Sequence, residues 1–137
     1  MSITLGQQGS PSRAAQLGIL LAAPAVIFVA ANLLNEIGIP LLYSPIEAML
    51  SAPGRREAFN LISPALFVVA PAVALALNLF AIARLDLRWE RRQLVSTVTV
   101  TPYAMNVAVL AAGGLALAAL LTYLFLENFT IVLRHLG

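Results

Sequence analysis

Carboxylate and histidine side chains are the groups in this sequence that could transfer protons or bind metals. The six carboxylates fall in predicted loops or at predicted helix ends: Glu36, Glu47, Glu57, Asp86, Glu90 and Glu127. Proton relays and ion pathways normally place ionisable groups inside the membrane core, so this distribution argues against an ion-coupled transporter. Asp86 and Glu90 alternate with Arg88 and Arg92, and such mutually neutralised charge is typical of a solvated surface.

Nucleophilic and cofactor chemistry finds equally little support. The chain has no cysteine, which excludes disulfides, iron–sulfur clusters and cysteine zinc sites. It has no lysine for a Schiff base, and its single histidine, His135, lies near the C-terminus, away from the middle of any membrane bundle. A glycine-rich phosphate loop is also missing. We therefore expect a protein that is not an enzyme and has no catalytic residue, metal site or cofactor.

The composition indicates a protein that is covered by lipid. Of its 137 residues, 61% are hydrophobic and 10% are charged, and the mean hydropathy is +0.92. The apolar residues form long blocks, unlike the alternating pattern of a membrane β-barrel. The eight basic residues are spread over the ends of these blocks and are too few for a nucleic-acid interface.

Three apolar blocks predict an all-α membrane protein, a single domain over residues 1–137. Transmembrane helices are expected at about 14–35, 63–83 and 103–126. A cleaved signal peptide is the alternative reading of Arg13 and the block that follows, but the length of this block favours a helix. Residues 1–13 are rich in Gly, Ser, Gln and Pro and predict a flexible tail.

The first loop contains a helix signal. Ser44-Pro45-Ile46-Glu47 combines an N-cap serine, a first-turn proline and a capping-box glutamate. Together with the apolar spacing that follows, this predicts a short interfacial helix over about 45–52. An irregular apolar loop packed over the bundle is the alternative.

The second loop alternates apolar and polar residues over 85–101 and predicts a small β-hairpin. With Arg91-Arg92 as the turn, the apolar residues share one face in the pairs Trp89–Leu94, Leu87–Ser96 and Leu85–Val98. The turn lacks the Gly or Asn of a tight hairpin, so a longer loop or a continued helix is the alternative.

Two features inside the helices bear on packing. Ser63-Pro64 predicts the start of the second helix, which leaves Pro71 in its interior as a kink. Small residues recur every four positions in the first and third helices and predict close helix contacts at Gly18, Ala22, Ala108 and Ala112. The alternative is that alanine is simply abundant in this chain.

Several asparagines fall within the apolar blocks or at their ends. Counting inward from the block ends places Asn78 and Asn106 at the same depth. Asn32 and Asn35 fall at the opposite boundary, level with Asn128. Because an asparagine that faces lipid leaves its amide unpaired, we expect these residues to form interhelical contacts. The alternative is that the inner pair lines a ligand site.

The arginine distribution predicts the orientation. Arg13 and the second loop together contain five arginines, whereas the first loop and the C-terminus contain three. By the positive-inside rule the N-terminus is cytoplasmic and the C-terminus is outside. The use of arginine without lysine is typical of GC-rich bacterial genomes, so we expect a multi-pass protein of the plasma (inner) membrane.

These expectations leave two functions open. The first is a structural or accessory subunit that contacts lipid and either other membrane subunits or copies of itself. The second is a small transport or ligand-binding component built around Pro71 and the buried asparagines.

Overall fold

The structure is a computed structural model that describes the backbone of residues 2–6 and 10–136 and the side chains of residues 2, 3 and 10–127. Helices make up 72% of it. Three helical segments are long and apolar enough to cross a membrane: Pro11–Glu36, Arg55–Ile82 and Ala104–Glu127. The prediction of three such helices is confirmed. At about 1.5 Å per residue, each segment is longer than the roughly 30 Å of a hydrocarbon core.

The first long helix, α1, covers Pro11–Glu36. After a loop, the short helix α2 covers Tyr43–Leu50, close to the predicted range. Ser44 is not its N-cap, because the Ser44 N–H already donates to the carbonyl of Pro40 at 2.9 Å. Glu47 of α2 forms an ion pair with Arg56 at the start of the next helix. The position of α2 at a membrane interface stays a prediction.

The second long helix has three parts: α3 over Arg55–Pro64, a π-helical turn over Ala65–Val69, and α4 over Ala70–Ile82. The prediction that Ser63 and Pro64 begin this helix is therefore wrong. Pro64 has no N–H and leaves the Asn60 carbonyl without its usual donor. The Ser63 hydroxyl donates to that carbonyl at 3.2 Å, which keeps the proline inside a continuous helix.

Pro71 lies directly after the π turn, in the first turn of α4, and is fully buried. In a continuous α-helix its ring would clash with the carbonyl of Phe67. The Ala70 N–H donates to the Ala65 carbonyl, which is the longer bond of π geometry. The structure thus places a departure from α geometry just before Pro71, where helices commonly bend. The size of the bend stays a prediction.

The remaining elements are a sheet and the last helix. Strand β1 covers Ser2–Gly6, β2 covers Ala83–Glu90 and β3 covers Gln93–Val100, all antiparallel in the order β1-β2-β3. The last helix, α5, covers Ala104–Leu136. The predicted hairpin is confirmed in the pairs Trp89–Leu94, Leu87–Ser96 and Leu85–Val98.

Strand β1 corrects the expectation of a flexible tail over residues 1–13. Ser2–Gly6 is a strand whose Ile3 lies opposite Leu87 and whose Ser2 lies opposite Arg88. The helix α1 also begins within the supposed tail, at Pro11. Ser2 to Leu5 alternates polar with apolar residues, and this short signal is hidden by the Gly, Gln and Ser residues that follow.

Small side chains bring α1, α4 and α5 together. Ala22, Ala74 and Val109 form one buried cluster, and Ala25, Phe67 and Ala116 form another. A Cβ added at Gly113 would lie 3.5 Å from Ala22 Cβ, an ordinary contact distance. Alanine and glycine therefore let the three helices approach closely.

The buried face of α5 follows alternating steps of three and four residues. Ala108 and Ala112 are exposed and line a groove together with Ala22 and Ala23 of α1, so their role in close helix packing stays a prediction. Over residues 104–127 of α5, the buried positions are Asn106, Val109, Gly113 and Ala116. A stripe of every fourth residue drifts by about 40° per step around a helix, whereas alternating steps of three and four stay on one face.

Candidate functional site

Two buried asparagines lie at the centre of the polar interior. The side chain of Asn78 on α4 is 0% exposed and that of Asn106 on α5 is 1% exposed. Nδ2 of Asn106 donates to Oδ1 of Asn78 at 2.8 Å. The structure thus brings together the two residues that were placed at equal depth by counting along the sequence.

The helix α1 joins this pair through its backbone. Nδ2 of Asn78 donates to the carbonyl of Ala14 at 3.1 Å and to the carbonyl of Ala74 at 2.8 Å. Nδ2 of Asn106 also donates to the carbonyl of Pro11 at 3.0 Å. Both hydrogens of each amide are therefore used, and a single network links all three long helices. We call this network of Asn78 and Asn106 the asparagine clasp.

Gly18 makes room for the clasp. A Cβ at this position would lie 2.1 Å from Nδ2 of Asn78 and 2.8 Å from Cγ1 of Val109. Neither distance is compatible with van der Waals contact, so α1 can approach Asn78 only without a side chain at Gly18. The sequence pattern identified Gly18 as a packing residue but did not show that Asn78 is its neighbour.

Asn32, another predicted interhelical residue, bonds within its own helix instead. Nδ2 of Asn32 donates to the carbonyl of Phe28 in its own helix at 2.8 Å. Asn35 contributes its backbone carbonyl, which accepts the N–H of Gly38 at 3.0 Å. The side chain of Asn128 lies outside the described residues.

Toward the other end of the bundle from the clasp, three phenylalanine rings pack together. The rings of Phe28 and Phe67 are stacked with centroids 4.6 Å apart. The Phe59 ring meets the Phe67 ring edge-on at 5.6 Å. These three rings join α1, α3 and the π turn. The sequence reading missed them, although the eight-residue spacing of Phe59 and Phe67 places both on one helix face.

Grooves on the bundle surface are shallow and mostly apolar. One of these grooves, with a volume of about 380 Å³, lies between α1 and α5. Its polar side chains are Asn32, Glu36 and Tyr123. Among the described residues, no three His, Cys, Asp or Glu side chains are grouped so that they could hold a metal ion.

The sheet presents a second candidate surface. Strand β3 lies at one edge and every one of its residues is exposed. On one face Trp89, Leu94 and Val98 are each more than 60% exposed. The other face of β2 carries Arg84, which pairs with Asp86 at 3.3 Å, and also Arg88 and Glu90.

The hairpin turn consists of Arg91 and Arg92 in the left-handed region, with φ of 46° and 67°. Two-residue hairpins of this type strongly favour Asn-Gly, because residues with a Cβ adopt positive φ at a cost of about 1–2 kcal/mol each. Strained residues of this kind persist most often where they serve a function.

Comparisons of the chain with protein-family models, with curated proteins and with solved structures found no match.

Proposed function

We propose that this chain is a non-catalytic integral membrane protein, a structural or accessory subunit that joins a second copy of itself through the open edge of β3. The observation that carries the proposal is an eight-residue edge strand that contains no charged residue and no proline. Natural sheets protect such edges with charges, prolines or bulges. An edge without these devices is a template for another strand.

The hydrogen-bond pattern between β2 and β3 identifies the backbone groups of β3 that would pair with a second strand. Because the turn has two residues, Glu90 and Gln93 form a hydrogen-bonded pair. Every second residue pair along the hairpin is then hydrogen-bonded, and the bond from the Thr101 N–H to the Ile82 carbonyl at 2.8 Å fits this alternation. The alternate residues of β3 therefore turn their N–H and C=O groups outward. These residues are Leu94, Ser96, Val98 and Val100.

A second copy suits this edge because the strand is complementary to itself. Antiparallel pairing relates two strands by a two-fold axis perpendicular to the sheet, which is the symmetry of the commonest dimers. Two copies inserted in the same direction are related by an axis along the membrane normal. The pairing therefore requires a sheet that lies parallel to the membrane plane. Because β3 contains no charged residue, two copies of the strand can pair without opposing like charges.

The second function, transport or ligand binding around Pro71 and the asparagines, receives less support. Both amide hydrogens of Asn78 and Asn106 already bond to protein oxygens. The pair is also fully buried between helices, with little room for a substrate. Its geometry suits a fixed interhelical contact, which typically contributes about 0.6–2 kcal/mol in membrane bundles.

We place the chain in the plasma membrane with its N-terminus and sheet in the cytoplasm and its C-terminus outside. The pairing of β1 with β2 supports a common side for the N-terminus and the second loop. The arginine count supports the cytoplasm as that side. A reporter inserted within residues 88–92 should therefore report the cytoplasm, and one fused after Gly137 the outside. The reverse pattern would overturn this orientation.

Val98→Pro is the sharpest test of edge pairing. The Val98 N–H points outward, so proline blocks a partner strand without removing a bond within the sheet. Val98→Thr retains the N–H and the β-branched shape and is the matched control. In lipid nanodiscs, wild type and Val98→Thr should have the mass of a dimer and Val98→Pro that of a monomer.

Two results would contradict the proposal of self-association. One is a wild-type chain that is monomeric at every protein-to-lipid ratio. The other is a dimer that persists unchanged in Val98→Pro. Foreign chains that co-purify with wild type and are lost in Val98→Pro would show that the edge serves a larger complex instead of a second copy.

A further inference from the structure

The sheet has a second surface, its apolar face, which is distinct from the β3 edge. We infer that this face lies on the anionic lipid headgroups beside the bundle, and that the Arg91-Arg92 turn holds it there. This inference concerns lipid and does not depend on pairing between copies. Its evidence is the sidedness of the sheet, its attachment to the bundle and the charge of its turn.

The two faces of the sheet differ sharply. Exposed apolar side chains of one face span all three strands: Ile3, Trp89, Leu94, Val98 and Val100, with exposed fractions of 45–64%. The opposite face of β2 and β3 carries charged, amide and hydroxyl side chains, with Val95 as the exception. A contiguous apolar patch with a polar reverse side is typical of a surface that rests on a membrane or another protein.

The chain holds this sheet at the end of the bundle. Strand β2 begins at Ala83, the residue after α4 ends, and only residues 101–103 separate β3 from α5. The bond from the Thr101 N–H to the Ile82 carbonyl closes the base of the hairpin at the junction itself. Eight residues extend at most about 27 Å. The apolar face therefore stays within a short distance of the lipid around α4.

The charge of the hairpin fits an anionic surface. The hairpin carries Arg84, Arg88, Arg91 and Arg92 against the two carboxylates Asp86 and Glu90, so its formal net charge is +2, and Arg84 pairs with Asp86. Arg91 and Arg92 occupy the turn in a conformation that Asn-Gly would adopt more easily. Next to them, Trp89 is 61% exposed. Tryptophan beside arginine is the combination that membrane interfaces favour.

Trp89 is the only tryptophan of the chain, so its fluorescence reports the position of this face alone. The purified protein is reconstituted into vesicles of phosphatidylcholine, or of equimolar phosphatidylcholine and phosphatidylglycerol. Half of the lipid in each vesicle type is phosphatidylcholine that carries bromines near the headgroup end of its acyl chains and quenches tryptophan on contact, so both vesicle types hold the same amount of quencher. Both leaflets have one composition, so the direction of insertion does not affect the result.

Wild type should show strong lipid quenching and little quenching by aqueous acrylamide in the anionic vesicles. An arginine near an anionic surface contributes about a fivefold gain in association. The double variant Arg91→Asn, Arg92→Gly should thus lose roughly 25-fold and show the weaker quenching of neutral vesicles. Because Asn-Gly is the preferred turn, unfolding of the hairpin cannot explain that loss. Arg88→Gln removes a charge from the opposite face and should stay near wild type.

Three results would overturn the inference. Trp89 that is open to acrylamide and unquenched by brominated lipid in both vesicles would place the face in water. Protection from acrylamide without lipid quenching would mean that protein covers it. Lipid quenching that is equal in neutral and anionic vesicles and unchanged in the double variant would show that the arginines do not hold the face on the lipid.

Discussion

Gly18→Ala is the substitution whose effect the structure determines most sharply. Alanine normally stabilises the interior of a helix by about 1 kcal/mol relative to glycine. At Gly18 the new methyl group would lie 2.1 Å from Nδ2 of Asn78 and 2.8 Å from Cγ1 of Val109. The clasp must therefore move or α1 must retreat, and the substitution should destabilise the bundle.

The size of this effect follows from three terms. Overpacking a close-packed interior costs about 1–3 kcal/mol. Losing the bond from Asn78 to Ala14 costs about 0.6–2 kcal/mol. The higher helix propensity of alanine relative to glycine offsets about 1 kcal/mol of this destabilisation. We expect the free energy of unfolding to fall by about 2 kcal/mol.

Gly114→Ala is the matched control, since the nearest atom to its new methyl group is Leu75 Cδ2 at 4.0 Å. This variant should keep or raise the stability, by up to about 1 kcal/mol. Steric trapping in bicelles measures the free energy of unfolding of each variant. In an Asn78→Ala background, Gly18→Ala should have a smaller effect, because the contact at 2.1 Å is gone while that with Val109 Cγ1 at 2.8 Å remains.

Equal tolerance of alanine at Gly18 and Gly114 would refute this reasoning. So would a Gly18→Ala effect that is the same with and without Asn78. Either result would mean that α1 does not approach α4 at the clasp as closely as the structure shows.

Three further predictions concern the bundle. Asn78→Cys combined with Asn106→Cys should crosslink readily in membranes, since the two asparagine side chains bond at 2.8 Å. If this pair fails to crosslink while cysteine pairs one helical turn away do so, the clasp is contradicted. Phe67→Ala removes a ring with two aromatic partners, each pair contributing about 0.5–1.5 kcal/mol. It should destabilise far more than Phe80→Ala, whose ring is 65% exposed; equal losses would refute the aromatic cluster. Ser63→Ala leaves the Asn60 carbonyl without its hydroxyl donor and should lower the free energy of unfolding by about 1 kcal/mol. No change would show that water replaces the hydroxyl as the donor.

Features set by local alternation or by depth were predictable from the sequence. The hairpin pairs followed from the alternation of Leu85, Leu87 and Trp89, because a two-residue turn fixes every later pair. The equal depth of Asn78 and Asn106 followed from counting residues at a constant helical rise. Both inferences need only the geometry of one element and the ends of its neighbours.

Features that depend on contact between distant segments were not predictable. Ser2–Gly6 forms a strand by pairing with the edge of β2. The alternation of residues in so short a segment is too weak to predict a strand by itself. Ser63-Pro64 resembles a helix start, but the helix already runs from Arg55, and Ser63 bonds back to the Asn60 carbonyl. The dependence of Asn78 on Gly18 reflects how α1 and α4 meet, which no single-helix pattern contains.

Pairing of β3 with a second copy is the central functional claim, and cysteine crosslinking in native membranes tests it most directly. The chain has no cysteine, so Ser96→Cys introduces a single thiol at the centre of the outward-facing edge. Ala76→Cys, on an exposed part of α4, measures random collisions. On oxidation, Ser96→Cys should form a dimer well above the Ala76→Cys level, and adding Val98→Pro should abolish it. A Ser96→Cys dimer no more abundant than the Ala76→Cys dimer, or one that survives Val98→Pro, would contradict the account.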